Sequence, residues 1–367
     1  MQILTQKLIQ SVIFAIAGFL LAMAFSSLTT ISNYAQTSFS LAIAAIVIAF
    51  LLTPIYTHVA YKYKFWKKQK QAAVTGEKLK IVSKLHAKKI ARNIPTMAGV
   101  IGVLAVIIIT WFFNLNRAET WLPLAGLAGG AAIGLIDDIL NVWGTNKKDA
   151  GLRAPVKFAM IIVVGLVLGW FFHSKLGFTS VMIPFVGDID IKWLMIPLFA
   201  FAIVATSNAV NISDGLDGLA GGLLAAAYGS FGVIAVLQNQ FHLAAFCFTV
   251  IGALMAYIWF NVFPARFFMG DIGSFAWGTS LGVVAMLTNS LLLLPVIGLI
   301  FVIEAGSSAL QIFSKKVFKK KIFVAAPFHH HLEAKGWEET KITMRFWVIA
   351  IALAFVGIVL ALAEKRF

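Results

Sequence analysis

Long apolar runs, not alternating ones, dominate this chain. Runs of roughly 17 or more apolar residues suffice to cross the hydrocarbon core of a bilayer as helices. Eleven occur, at about 8–29, 39–60, 95–113, 121–140, 155–172, 193–210, 218–237, 242–261, 274–289, 291–312 and 346–363. Lys7 precedes the first run as it would in a secretion signal, but no small-residue cleavage site follows, so the run reads as an uncleaved helix. The pattern predicts an all-α polytopic membrane protein, a bundle of 10–11 transmembrane helices with cytoplasmic catalytic loops. Residues 1–38 are expected to be an extra hydrophobic helix and 39–367 the membrane domain proper.

Composition agrees. Of 367 residues 60% are hydrophobic and 12% charged, against about 25% charged in soluble domains. The single cysteine, Cys247, excludes an internal disulfide framework. A net charge of +15 raises nucleic acid as a partner, but its placement argues for a bilayer and no nucleic acid. Loop 61–92 holds eleven Lys/Arg, 313–345 holds eight and 141–157 holds four, whereas 114–120, 173–192 and 238–241 hold one, two and none. Basic loops stay in the cytoplasm. Counting helices between them brings loops 211–217 and 262–273 to the same side. Asp188 and Asp190 then lie outside, in a turn or short hairpin.

The acids change the picture most. Asp137 and Asp138 in "GLIDDILN", Asp214 and Asp217 in "NISDGLDG", Asp271 in "FMGDIGS" and Glu304 lie at or within apolar helices. A carboxylate beside hydrocarbon costs a few kcal/mol, so it marks function by default. One such aspartate is ordinarily a helix cap; five on three loops of one face are not. Hard oxygens of this kind suit Mg²⁺, which completes its shell with water and substrate phosphate. Asn208, Asn211, Asp214 and Asp217 recur every three residues at a helix end and offer polar contacts to a large ligand. The glycines after Asp214 and Asp217 let backbone approach it closely. Lys89, Lys157 and the histidines of "PFHHHLE", His329, His330 and His331, face the same side. Carboxylates, a divalent ion, lysine and imidazole together equip a site for a pyrophosphate. Taken as patches, Gly126–Gly134 and Gly215–Gly222 mostly read as close helix packing.

In order along the chain, "PTMAG" (95–99), "GLIDDILN" (134–141), "GLRAPVKF" (151–158), "NAVNISDGLDGLAGG" (208–222), "WFNVFPARFFMGDIGS" (259–274), "EAGSSALQ" (304–311) and "APFHHHLEAKGWEE" (326–339) resemble the phospho-N-acetylmuramoyl-pentapeptide transferases, a branch of the polyprenyl-phosphate N-acetylhexosamine-1-phosphate transferases. The resemblance spans roughly residues 39–363. It implies a Mg²⁺-dependent phosphoglycosyl transferase of a bacterial inner membrane, its site facing the cytoplasm. Such an enzyme moves phospho-MurNAc-pentapeptide from UDP-MurNAc-pentapeptide to undecaprenyl phosphate, giving UMP and lipid I for peptidoglycan. It implies Asp271 as Mg²⁺ ligand, with Asp137 and Asp138 beside it and one of them acting on the lipid phosphate. Phe268 would stack on uracil and Asn261 contact the uridine. Asn208, Asn211, Asp214, Asp217 and Gln311 would contact nucleotide or amino sugar, His329, His330 and His331 the phosphates and sugar, and Lys157 and Lys89 the reacting groups. The sequence leaves a homodimer open.

Two features depart from the family pattern. "HAKKIARNIPTMAG" (86–99) carries two extra residues and Ala98 in place of glycine, so Lys89 and Arg92 compete for one position. The helix at 8–29 is additional to the usual ten. The lipid phosphate can attack directly, or an aspartate can attack first and form a phospho-enzyme. A phosphate monoester, largely dianionic at neutral pH with a second pKa of about 6, favours direct attack. The alternative within the superfamily uses a UDP-N-acetylhexosamine without peptide. A proton- or cation-coupled transporter would place its acids at mid-membrane.

Overall fold

The computed structural model describes residues 33–66, 93–144 and 151–363. The expected helix at 8–29, Lys89 and most of loop 61–92 lie outside the described residues. The other ten apolar runs all form helix. They give α1 (Asn33–Lys62), α2 (Gly99–Phe113), α3 (Trp121–Trp143), α4 (Ala154–Leu176), α5 (Met195–Ser213), α6 (Leu219–Leu237), α7 (Phe241–Asn261), α8 (Gly270–Leu287), then α9 (Leu294–Ile297) with α10 (Leu299–Val317), and finally α12 (Glu339–Ala363). A short α11 (Phe328–Ala334) carries the three histidines. The only sheet among the described residues is a hairpin, β1 (Ser180–Ile183) antiparallel to β2 (Gly187–Asp190), where the external turn was expected. Asn289 pins it, donating to Asp188 Oδ1 (2.8 Å) and accepting from the Met182 N–H (2.9 Å).

Local chemistry sets the boundaries. Pro155 opens α4 in the first turn, where its missing N–H costs nothing, and Gly177 closes it in the left-handed conformation. The run expected as one helix over 291–312 breaks at Gly298 into α9 and α10.

Seven of the described helices are long and apolar enough to cross a membrane. Three others differ instructively. At 15 residues α2 spans about 22 Å. Helix α10 is amphipathic and carries Lys315 and Lys316 in its last turn. Helix α8 is rich in Gly, Ser, Thr and Ala, yet all its residues are buried. It needs no lipid-facing surface because protein surrounds it: α3 and α5 pack along it most extensively, with α2 and α6 beside them. Lipid faces instead belong to helices such as α4 and α12, whose most apolar windows are only 28% buried.

Glycines set how close α8 comes to its neighbours. A Cβ on Gly134 would stand 2.1 Å from the Asp271 carbonyl oxygen, and one on Gly130 would stand 2.4 Å from that of Phe275. With Gly126 these form an i, i+4, i+8 stripe that lets α3 touch α8 backbone to backbone. On other faces a Cβ on Gly278 would stand 2.6 Å from Ser207 Cα, and one on Gly273 would stand 2.9 Å from Gly99 Cα. Small-residue packing therefore brings the start of α8, with Asp271, against the end of α3, with Asp137 and Asp138.

Candidate active site

Three helices meet at Lys157. This residue sits in the first turn of α4, and its Nζ donates to Asp137 Oδ2 (2.8 Å) on α3 and to Asp271 Oδ2 (2.6 Å) on α8. Asp137 Oδ1 also accepts the Leu152 N–H (2.6 Å) from the turn leading into α4. That turn passes so close that a Cβ on Gly151 would stand 2.8 Å from the same oxygen, and Gly151 has φ +93°. A glycine is required there twice over.

Asp138 has a different task. Its Oδ2 accepts the Ile272 N–H (2.9 Å), so it caps α8 from a neighbouring helix. The helix's own N-cap position, Met269, offers no side-chain cap, and a carboxylate at this end also suits the helix dipole. Gly270, at φ +75°, leaves room for that carboxylate, since a Cβ would lie 2.6 Å from Asp138 Oδ2 and 2.7 Å from the Met97 nitrogen. The "PTMAG" segment runs alongside, with Phe268 N–H donating to the Pro95 carbonyl (2.8 Å), Ala98 N–H to Phe268 (3.0 Å) and Gly99 N–H to Met269 (2.8 Å). The Tyr56 hydroxyl holds the Thr96 carbonyl from α1.

The remaining expected residues divide between holding loops and facing outward. Asn208 donates back to Val204 in its own helix (2.7 Å). Asn211 reaches across to Ser274 Oγ (2.8 Å), which in turn donates to the Gly270 carbonyl, so the end of α5 is tied to the start of α8. Asp214 is half-buried at the end of α5. Asp217 Oδ2 accepts the Ala265 N–H (2.9 Å), and its own N–H donates to Glu339 (2.6 Å). Asn261 accepts from Gly218 N–H and donates to the Phe267 carbonyl, both at 2.9 Å, while Phe268 is half-buried beside it. The Gln311 amide is engaged by the backbone of Ile322 and Phe323. The sequence signals missed Ser274, Gly151, Glu339 and Tyr56. Ser274 is the one its motif exposes, as the hydroxyl one turn after Gly270.

The histidine cluster joins the bundle elsewhere. His329 is paired with Glu304 on α10 (Nδ1 to Oε2, 2.7 Å), and His330 with Glu333 (2.6 Å). His331 accepts the Val324 N–H at Nδ1 (3.2 Å). Burial first, then the Lys335 ammonium, lower its pKa from the ordinary value, which keeps the ring in the neutral form that can accept.

Among the described residues no three His, Cys, Asp or Glu side chains are disposed to hold a metal ion by themselves. Mg²⁺ rarely asks for such a cage, since one or two carboxylates with water and substrate phosphate suffice. Asp137 and Asp271 offer that donor set, already turned toward one cation, the Lys157 ammonium. Two carboxylates and one ammonium leave a formal charge of −1, so a diphosphate needs further positive charge to settle there. The residues fit the ion.

Comparison with known proteins gives the same direction. Residues 120–289 match the profile of glycosyl transferase family 4. Proteins named phospho-N-acetylmuramoyl-pentapeptide-transferase are similar along most of their length. The one from Chloroflexus aggregans is 38% identical, covering 88% of this chain and 89% of that protein. The one from Caldanaerobacter subterraneus is 39% identical over 75% of this chain and 85% of its own, and the one from Listeria welshimeri 35% identical over 86% and 97%. The chain belongs to the phospho-N-acetylmuramoyl-pentapeptide-transferase family.

Proposed function

We propose that this protein transfers phospho-MurNAc-pentapeptide from UDP-MurNAc-pentapeptide to undecaprenyl phosphate, forming lipid I and releasing UMP at the cytoplasmic face of a bacterial inner membrane. The observation that carries this reading is Lys157 shared between Asp137 and Asp271 where three helices end. A phosphate oxygen of the lipid attacks the β-phosphorus of the nucleotide sugar. The bond from that phosphorus to the bridging oxygen breaks, and the electron pair leaves with UMP. Lys157 offsets charge on the reacting phosphates. Asp137 turns its carboxylate toward the attacking group, and Asp138 holds the N-terminus of α8 so that Asp271 stays in place. Asp271, with Asp137 beside it, would hold Mg²⁺, which would supply the positive charge the diphosphate requires.

Two features support the substrates. An apolar groove of about 580 Å³, lined by Ile133, Pro155, Val156, Ala159, Met160 and Val163, opens between α3 and α4. Ile133 lies one helical turn before Asp137, and Val156 adjoins Lys157, so a prenyl chain in the groove would present its phosphate to the cluster. Phe268, half-buried beside "PTMAG", suits stacking on uracil. The basic loops of the sequence support the cytoplasmic orientation.

The test is transfer of radiolabel from UDP-MurNAc-pentapeptide to undecaprenyl phosphate by the purified protein, with and without Mg²⁺. Labelled lipid should form only with the ion, and excess UDP-N-acetylglucosamine should not compete. Label moving from UDP-N-acetylglucosamine instead would assign the protein to the shorter-substrate branch, and no transfer at all would end the proposal.

A further inference from the structure

Glu304 stands on the buried face of the amphipathic α10 with none of its surface exposed, and the lysine-centred cluster does not use it. Both its oxygens serve one residue. Oε1 accepts the backbone N–H of His329 (3.1 Å) and Oε2 bonds the ring at Nδ1 (2.7 Å). With a carboxylate that accepts at both oxygens, the ring donates from Nδ1. The other ring nitrogen, Nε2, is buried and has no hydrogen-bond partner. It faces Gly215, where a Cβ would fall 2.3 Å from it. The glycine expected to admit a ligand is thus, at this position, clearance for an imidazole. Gly215 needs its missing side chain because of His329, not because of its backbone angles.

An orphaned buried nitrogen is destabilising, and a buried carboxylate keeps it aimed. We infer that Glu304 is a positioning residue for the transfer reaction. It fixes the tautomer and direction of His329, so that Nε2 meets the nucleotide sugar when it enters against the loop Asn211–Gly218. This rests on the proposed transferase reading and deepens it by one residue.

The experiment compares kcat and KM for UMP release in full-length Glu304→Gln, His329→Ala and the double variant, with Asp271→Asn as reference. Gln keeps the size of Glu304 but lets the side chain donate, so the ring loses its fixed tautomer. Glu304→Gln should lower kcat about tenfold or more, the scale of lost outer-shell orientation, with KM for UDP-MurNAc-pentapeptide within about twofold. The double variant should be no slower than His329→Ala alone, because Glu304 acts through that ring. Gly215→Ala, which presses the ring from the other side, should also lower kcat. Wild-type kcat in Glu304→Gln or Gly215→Ala, or losses that multiply in the double variant, would overturn the inference. If Asp271→Asn were itself fully active, the transferase site would be wrong, and that outcome is distinct.

Discussion

Lys157 and His329 are both held by carboxylates, but the two arrangements are built differently. Lys157 bridges two acids from two other helices through a flexible stem, and its side chain keeps 14% of its surface exposed. His329 is gripped by one acid at two points, with 1% exposed. A flexible cation between two acids can swing aside and let a ligand take its place among the same oxygens. A ring bonded at both Nδ1 and its own backbone cannot. The first arrangement suits exchange of charged groups during a reaction, and the second suits keeping one atom aimed.

Removing the lysine should have the larger effect. Lys157→Met leaves Asp137 and Asp271 facing each other without their cation, which for a buried pair costs about 3–5 kcal/mol. UMP release should fall by about 10²–10³, the scale for loss of one electrostatic group at a transition state. Mg²⁺ should then raise the melting temperature of the variant in detergent more than that of wild type, since the two acids would be free to share the ion. Equal shifts in both proteins would mean that Asp137 and Asp271 do not bind it together.

Next is the packing that brings the acids to the lysine. Gly134→Ala puts a methyl where the Asp271 carbonyl now lies. It should cost about 1–3 kcal/mol of stability and displace Asp271 enough to slow transfer, whereas Gly306→Ala, whose Cβ would meet nothing within 4 Å, should do neither. An unchanged melting temperature in Gly134→Ala would show that the close contact of α3 and α8 is not needed.

The smallest effect is at His331. Its pKa is lowered in the fold, so the contact with Val324 is complete above the unfolded value of about 6.5, persists just below it, and is lost as pH falls through the lower folded pKa. The protection of the Val324 amide, its exchange rate relative to the intrinsic rate at each pH, should fall on acidification in wild type and be low at all pH values in His331→Ala. Protection independent of pH in wild type would exclude the contact.

Much of this arrangement was legible in the letters alone. Asp137, Lys157 and Asp271 stand out because charge is rare in apolar helices, and ten apolar runs became helix. Illegible were the partners that have no letter of their own. Asp217, Asn261 and Gln311 spend their polar atoms on backbone groups of Ala265, Gly218, Phe267, Ile322 and Phe323, and backbone groups look alike in every sequence. Helix α8 was legible as a span but not as the centre, because hydropathy cannot separate a helix sheathed in protein from a poor membrane helix. Gly215 was read as a place of close approach, and the group that lies against it in the fold is the His329 ring.

The central claim is that phosphoryl transfer takes place at the junction of α3, α4 and α8. UMP release by Asp271→Asn, purified in detergent with wild-type melting behaviour and assayed across Mg²⁺ concentrations, tests it most directly. The account predicts a loss of at least about 10² that no Mg²⁺ concentration restores. Release at the wild-type rate and with the wild-type Mg²⁺ dependence would contradict it.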